Sequence, residues 1–161
     1  MAKKVLKKKT PEEIKDENER TNSMGLFNTA EAWWLSAKAL QAAKVKHGHA
    51  DTPVRALYYH AIELYLKALL RQKFGVDRIR KKFGHNTLKL IAGAEKLGID
   101  FMAEDRELFS LMKNTGAVIE ARYIRTGPKT FPTFDALNCT CEGLRQRVGA
   151  ALKKNGVMVR I

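Results

Sequence analysis

Residues 58–75, YYHAIELYLKALLRQKFG, decide the fold class. Apolar side chains occupy nearly every bearing of a helical projection, the mark of a helix enclosed by neighbours rather than lying on a surface. The exceptions are His60, Glu63, Lys67 and Arg71. At about 100° per residue these four fall within roughly an 80° sector, so they make one polar stripe along a core helix. Glu63 and Lys67 have the favourable i, i+4 order, with the acid nearer the N-terminus. Such a pair alone would suit a modest contact on a solvated strip, but the apolar residues on nearly every other bearing suggest a narrow polar seam covered by neighbours, or a site.

The surroundings of this helix are also helical. In the 161-residue chain, hydrophobic residues make up 45% and charged residues 29%, which suits a packed globular domain, and only four prolines interrupt long runs of helix formers. Upstream, a helix is expected from about Asn28 to Lys46, carrying Trp33, Trp34, Leu35, Ala37, Leu40 and Ala43; the two indoles point about 100° apart, so one belongs to the core. GHADTP (48–53) breaks the chain, with Thr52 expected as N-cap and Pro53 at the first helical position. The central helix then runs to about Phe74 and Gly75 closes it.

Downstream, RQKFGVDRIRKKFGHN (71–86) is a basic connector with room for one short helix. Asn86 caps a third helix through Leu88, Leu90, Ile91 and Ala94, stopped at Gly98. A fourth begins after Asp100 with the stripe Leu108, Leu111, Met112 and Ile119, and Arg122 continues close to it. RTGPKTFP (125–132) is the strongest break. A last helix from about Thr133 to Lys154 places Phe134, Leu137, Cys141, Leu144, Val148 and Leu152 on one face. GVMVRI (156–161) alternates Val157, Val159 and Ile161, an extended segment suited to docking on the helices. The expectation is an all-α, antiparallel up-and-down bundle of four long helices plus a short one, spanning 23–154, between a charged tail (1–22, mobile or partly helical) and a short tail (155–161).

The formal charge of +13, from 30 basic and 17 acidic residues, favours a polyanionic partner. Residues 1–22 hold seven basic and five acidic side chains, so +11 of the excess belongs to the rest of the chain. Residues 71–82 alone hold six basic residues against Asp77. Cys139 and Cys141 point about 200° apart on a helix, which implies no disulfide framework and suits a reducing, cytoplasmic setting. The lysines at the start are not followed by an apolar signal region, and no uncharged stretch reaches membrane-spanning length. His47, His49 and Asp51 offer H-x-H spacing without a distant fourth ligand, so no metal and no cofactor is expected. The glycine-rich phosphate loops, dinucleotide turns and nucleophile elbows of common enzyme classes do not occur.

A Trp-containing first helix, then ALYYHAIELYLKALL (56–70), FGHNTLKLI (83–91) and EARYIRTG (120–127) before a final helix, resembles the HEPN family (higher eukaryotes and prokaryotes nucleotide-binding) over residues 26–153. The resemblance implies a helical bundle, homodimerisation, RNA or nucleotide binding, membership of toxin–antitoxin or defence systems and, for some relatives, a nucleotidyltransferase partner. Relatives that cleave RNA carry an Arg and, after four to six residues, a His. Arg122 matches that Arg, but positions 127–129 are Gly, Pro and Lys, and Arg125 has no His after it either.

RNA cleavage at a 2′-hydroxyl needs a group that changes protonation near neutral pH, which imidazole does and guanidinium does not. The expected activity is therefore binding without turnover. Arg122, Tyr123, Arg125 and Lys129 would supply phosphate contacts and one aromatic face, joined by Arg78, Arg80, Lys81 and Lys82 of the connector. The alternatives are a metal-independent ribonuclease in which His60 or His85 supplies the imidazole to Arg122, and a pure protein-interaction module. His85 also stands beside a helix N-terminus, where an anion is favoured.

Overall fold

A computed structural model describes residues 9–46, 51–114 and 130–161. They form seven helices and no strand: α1 (Pro11–Arg20), α2 (Ser23–Ala42), α3 (Asp51–Leu70), α4 (Val76–Lys82), α5 (Thr87–Glu95), α6 (Ala103–Asn114) and α7 (Phe134–Lys154). The protein is all-α, and none of these helices is long and apolar enough to cross a membrane.

The central helix behaves as its sequence requires. Twelve of the twenty residues of α3 are buried, on all sides, because α2, α5 and α7 pack around it. Aromatic rings join the layers: Phe27 of α2 meets Tyr65 edge-on with centroids 5.3 Å apart, and Tyr58 stacks on Phe134 of α7. Each large apolar side chain fully enclosed here stabilises the fold by about 1.5–3 kcal/mol. Two polar groups that enter the core have side-chain partners on neighbouring helices, whereas the buried Tyr65 hydroxyl has none among the described residues. Tyr58 Oη donates to Gln41 at 3.0 Å, and Trp34 Nε1 donates to Asn138 Oδ1 at 2.9 Å. Trp34 is the buried indole, and Trp33 lies at the surface, edge-on to His60. Burial pushes the Cys141 thiol up, whereas Cys139 is exposed.

Several boundaries differ from the sequence reading. α2 starts at Ser23, five residues before Asn28, because the Asn22 side chain accepts the Gly25 N–H at 2.7 Å and caps it there. It ends at Ala42, and Lys44 turns the chain at φ 47°. α3 already includes Asp51, so Thr52 lies inside the helix and is not its cap. Its last residue is Leu70; residues 71–74 form a turn, and Gly75, with φ −66°, precedes α4 as that helix's N-cap instead of closing α3. Within the charged N-terminal region, residues 11–20 are a helix with a complete Thr10–Glu13 capping box, packed against α4.

Other elements agree with the reading. Asn86 caps α5 through the Lys89 N–H, Thr133 caps α7 through the Ala136 N–H, and Leu108 and Met112 of α6 are buried. The C-terminal segment docks: Val159 is buried, and Ile161 lies so close over Gly149 that a Cβ there would sit 2.1 Å from its Cγ2. Ile119 of the α6 stripe lies outside the described residues.

Candidate functional site

The polar stripe of α3 is an internal seam. Glu63 is 4% exposed and holds two partners: Lys67 Nζ at 2.6 Å and His85 Nδ1 at 2.9 Å. The seam thus ties α3 to the turn between α4 and α5. Further along, Arg71 donates to the carbonyl oxygens of Asn18 (2.7 Å), Thr21 (2.8 Å) and Phe74 (3.3 Å). These groups are engaged in joining elements, and the pair Glu63–Lys67 is enclosed where the i, i+4 spacing alone suggested a modest surface contact.

An open groove lies where the end of α3, α4 and α5 meet. Its floor is apolar: Phe74, Phe83, Ala92, Gly93 and Leu97. Its rim is cationic: Lys73, Arg78, Lys82, Lys89 and Lys96, with no acidic residue in the lining and a volume of about 630 Å³. The two phenyl rings stand 5.6 Å apart at the floor, with Arg78 over Phe74 at 5.0 Å and Lys82 over both rings at 5.3 Å. Gly93 makes this floor feasible: a Cβ there would lie 2.7 Å from Phe83 Cε1 and 2.9 Å from Leu70 Cδ2, so only glycine lets the ring lie flush against α5.

None of the five rim cations forms an ion pair among the described residues. Their mutual repulsion is left uncompensated and is relieved by any anion that enters. The apolar floor adds a surface for a flat or aliphatic portion of the same ligand.

The predicted binding residues divide three ways. Arg78 and Lys82 line the groove. Arg80 pairs with Glu17 and lies 3.6 Å from Asp77, and Lys81 lies 3.0 Å from Asp77, so these two are compensated away from the groove. Arg122, Tyr123, Arg125 and Lys129 lie outside the described residues, as do His47 and His49. Of the weaker candidates, His60 is half-buried on α3 and His85 is in the α4–α5 turn with its side chain half exposed. Lys73, one of the six basic residues counted in the 71–82 connector, also lines the groove, and Lys89 and Lys96 were missed. Lys89 and Lys96 are seven residues apart and so share a face of α5 flanking Ala92 and Gly93, a pattern that the sequence does contain. No group of His, Cys, Asp and Glu among the described residues is placed to hold a metal ion. Compared with known proteins, the chain matches no family model, no curated protein and no solved structure.

Proposed function

We propose that this chain is a HEPN-like helical bundle, with α2, α3, α6 and α7 as its four long up-and-down helices, that binds RNA or a nucleotide without strong catalysis. The observation that carries the reading is the set of five unpaired cations around an apolar floor. Phosphates meet the rim and a base meets the floor, which is the division of labour that single-stranded nucleic-acid sites use. Homodimerisation, a nucleotidyltransferase partner and a place in a toxin–antitoxin or defence system belong to the same reading through the family resemblance.

The test is titration of a labelled single-stranded oligoribonucleotide at several salt concentrations. Affinity falls as salt rises, with a slope of about −0.7 per phosphate neutralised. The double variant Lys82→Glu, Lys89→Glu reduces both affinity and slope while remaining helical. Binding that is indifferent to salt and to this variant overturns the reading.

A second reading, a metal-independent ribonuclease, is favoured by one contact. His85 Nδ1 lies 2.9 Å from the buried Glu63 carboxylate while its side chain is half exposed, the arrangement in which a carboxylate orients an imidazole and leaves Nε2 for proton exchange. In this reading Arg122 steadies the phosphate. Cleavage of RNA in the presence of a chelator, lost in His85→Ala and in Arg122→Ala, supports it; intact RNA over a broad substrate set removes it.

A further inference from the structure

Helix α1 is attached to the protein in an unusual way. None of its residues is buried, and its ten positions hold five acidic side chains against two basic ones, a net charge of −3. What fastens it is polar and gathered at one end. Glu17 accepts from Arg80 and from Lys9; Asn18 Oδ1 accepts the Val76 N–H at 2.8 Å; and Arg71 reaches the Asn18 and Thr21 carbonyls. Two guanidinium groups of the basic segment are therefore met by acceptor oxygens of one acidic helix.

We propose that Arg71 and Arg80 form a second anion subsite, masked by α1, in which the Glu17 carboxylate and the Asn18 and Thr21 carbonyls occupy the places of phosphodiester oxygens of single-stranded RNA. Guanidinium forks suit phosphate oxygens as well as they suit these acceptors, and a phosphodiester adds a full charge where a carbonyl offers a dipole. The subsite adjoins the groove through α4: Arg78 and Lys82 face the groove, and Arg80 leaves the same short helix toward α1. A strand too long for the groove crosses α4 and meets Arg80. α1 contributes no buried residue to the core, and Ile14 is its single half-buried apolar side chain, so its release is set mainly by competition between two anions for the same cations.

This inference rests on the groove reading, and one set of measurements separates the two. A single-stranded oligouridylate of about ten nucleotides, within the usual footprint of such sites, and uridine monophosphate are titrated into the full chain and the double variant Glu17→Gln, Asn18→Ala. The variant binds the oligonucleotide roughly five- to tenfold more tightly at low salt, the lower range of coupling between linked sites, and binds the mononucleotide unchanged. Adding Arg80→Ala cancels the gain. In the unaltered chain the oligonucleotide accelerates backbone hydrogen exchange at residues 11–21.

Equal oligonucleotide affinity in the two forms, with no change in exchange at 11–21, overturns the masked subsite; if Lys82→Glu, Lys89→Glu still abolishes binding, the groove reading stands. Weaker binding by the Glu17, Asn18 variant also overturns it, since α1 then belongs to the binding surface. Absence of oligonucleotide binding to every form overturns both. A gain that duplex DNA or heparin reproduces in full overturns the assignment to single-stranded RNA.

Discussion

Two clusters of charge stand a helix apart in this protein and are built on opposite principles. In the α3 seam, Glu63 is enclosed and both of its partners are in place; in the α4–α5 groove, five cations face solvent with no acid among them. The first cluster spends its charge on holding elements together. The second leaves its charge available. Residue counts do not distinguish them, since a lysine four residues from a glutamate and a lysine beside an arginine both read as surface. What decides is whether the cations share an enclosed carboxylate: Lys67 and His85 both meet the buried Glu63, and the five rim cations meet none among the described residues.

The largest effect expected from this contrast is on stability at the seam. Glu63→Ala leaves Lys67 and His85 without their shared acceptor beside the core, and urea denaturation should show a loss of about 3 kcal/mol, the lower range for breaking an enclosed charge pair. A loss under about 0.5 kcal/mol would put the seam among ordinary surface pairs and erase the contrast.

Next comes the groove floor. In Gly93→Ala the new methyl group meets Phe83 and Leu70 at distances no relaxed contact allows. Overpacking of this kind costs about 1–3 kcal/mol, and the better helix propensity of alanine returns up to about 1, so a net loss of about 1–2 kcal/mol is expected, together with weaker RNA binding. Unchanged thermal stability would mean that the ring yields easily and that the floor is not rigid.

The rim should behave in reverse. Lys82→Glu, Lys89→Glu changes unfolding free energy by no more than about 0.5 kcal/mol, as surface substitutions do, while removing most of the RNA affinity. A large stability change would show that these lysines hold structure, as those of the seam do.

The smallest effect concerns α1 and pH. The Lys9 ammonium and the Arg80 guanidinium hold the Glu17 carboxyl below its ordinary value of 4.5. A lowered carboxylate favours the docked helix fully above that ordinary value and less as acid protonates it. Hydrogen exchange at residues 11–21 should therefore be steady near neutral pH and rise, relative to α3, once the pH falls below about 4.5. Exchange that keeps the same ratio to α3 down to pH 3 would remove Glu17 from the attachment.

Much of the fold was legible because helix ends announce themselves locally. Asn86 caps α5 as read, and α7 begins just after Thr133, where the last helix was expected to start; each lies just after a break. The end of α3 was not legible, since the sequence stays helix-compatible through Phe74 and Gly75 looks like a terminator; the chain uses that glycine to start α4. The start of α2 was missed because Asn22 sits at the edge of a charged stretch and resembles part of it.

The site was half legible for a related reason. Charge density in 71–82 pointed to Arg78 and Lys82, but it credited Arg80 and Lys81 equally. Arg80's partner, Glu17, is 63 residues away, and nothing in the local sequence discloses it. Lys89 and Lys96 join the groove only because α5 folds back beside α4. A distant carboxylate cancelled Arg80, the neighbouring Asp77 cancelled Lys81, and the packing of α5 supplied two other cations.

The pair of adjacent indoles on α2 gives the fold its own optical gauge. Trp34 is sealed by its bond to Asn138, and its neighbour Trp33 is 37% exposed. Iodide in solution should therefore extinguish one emitter and spare the other, leaving a blue-shifted residual spectrum. Loss of that protected component reports when α7 peels from α2, without any label being attached.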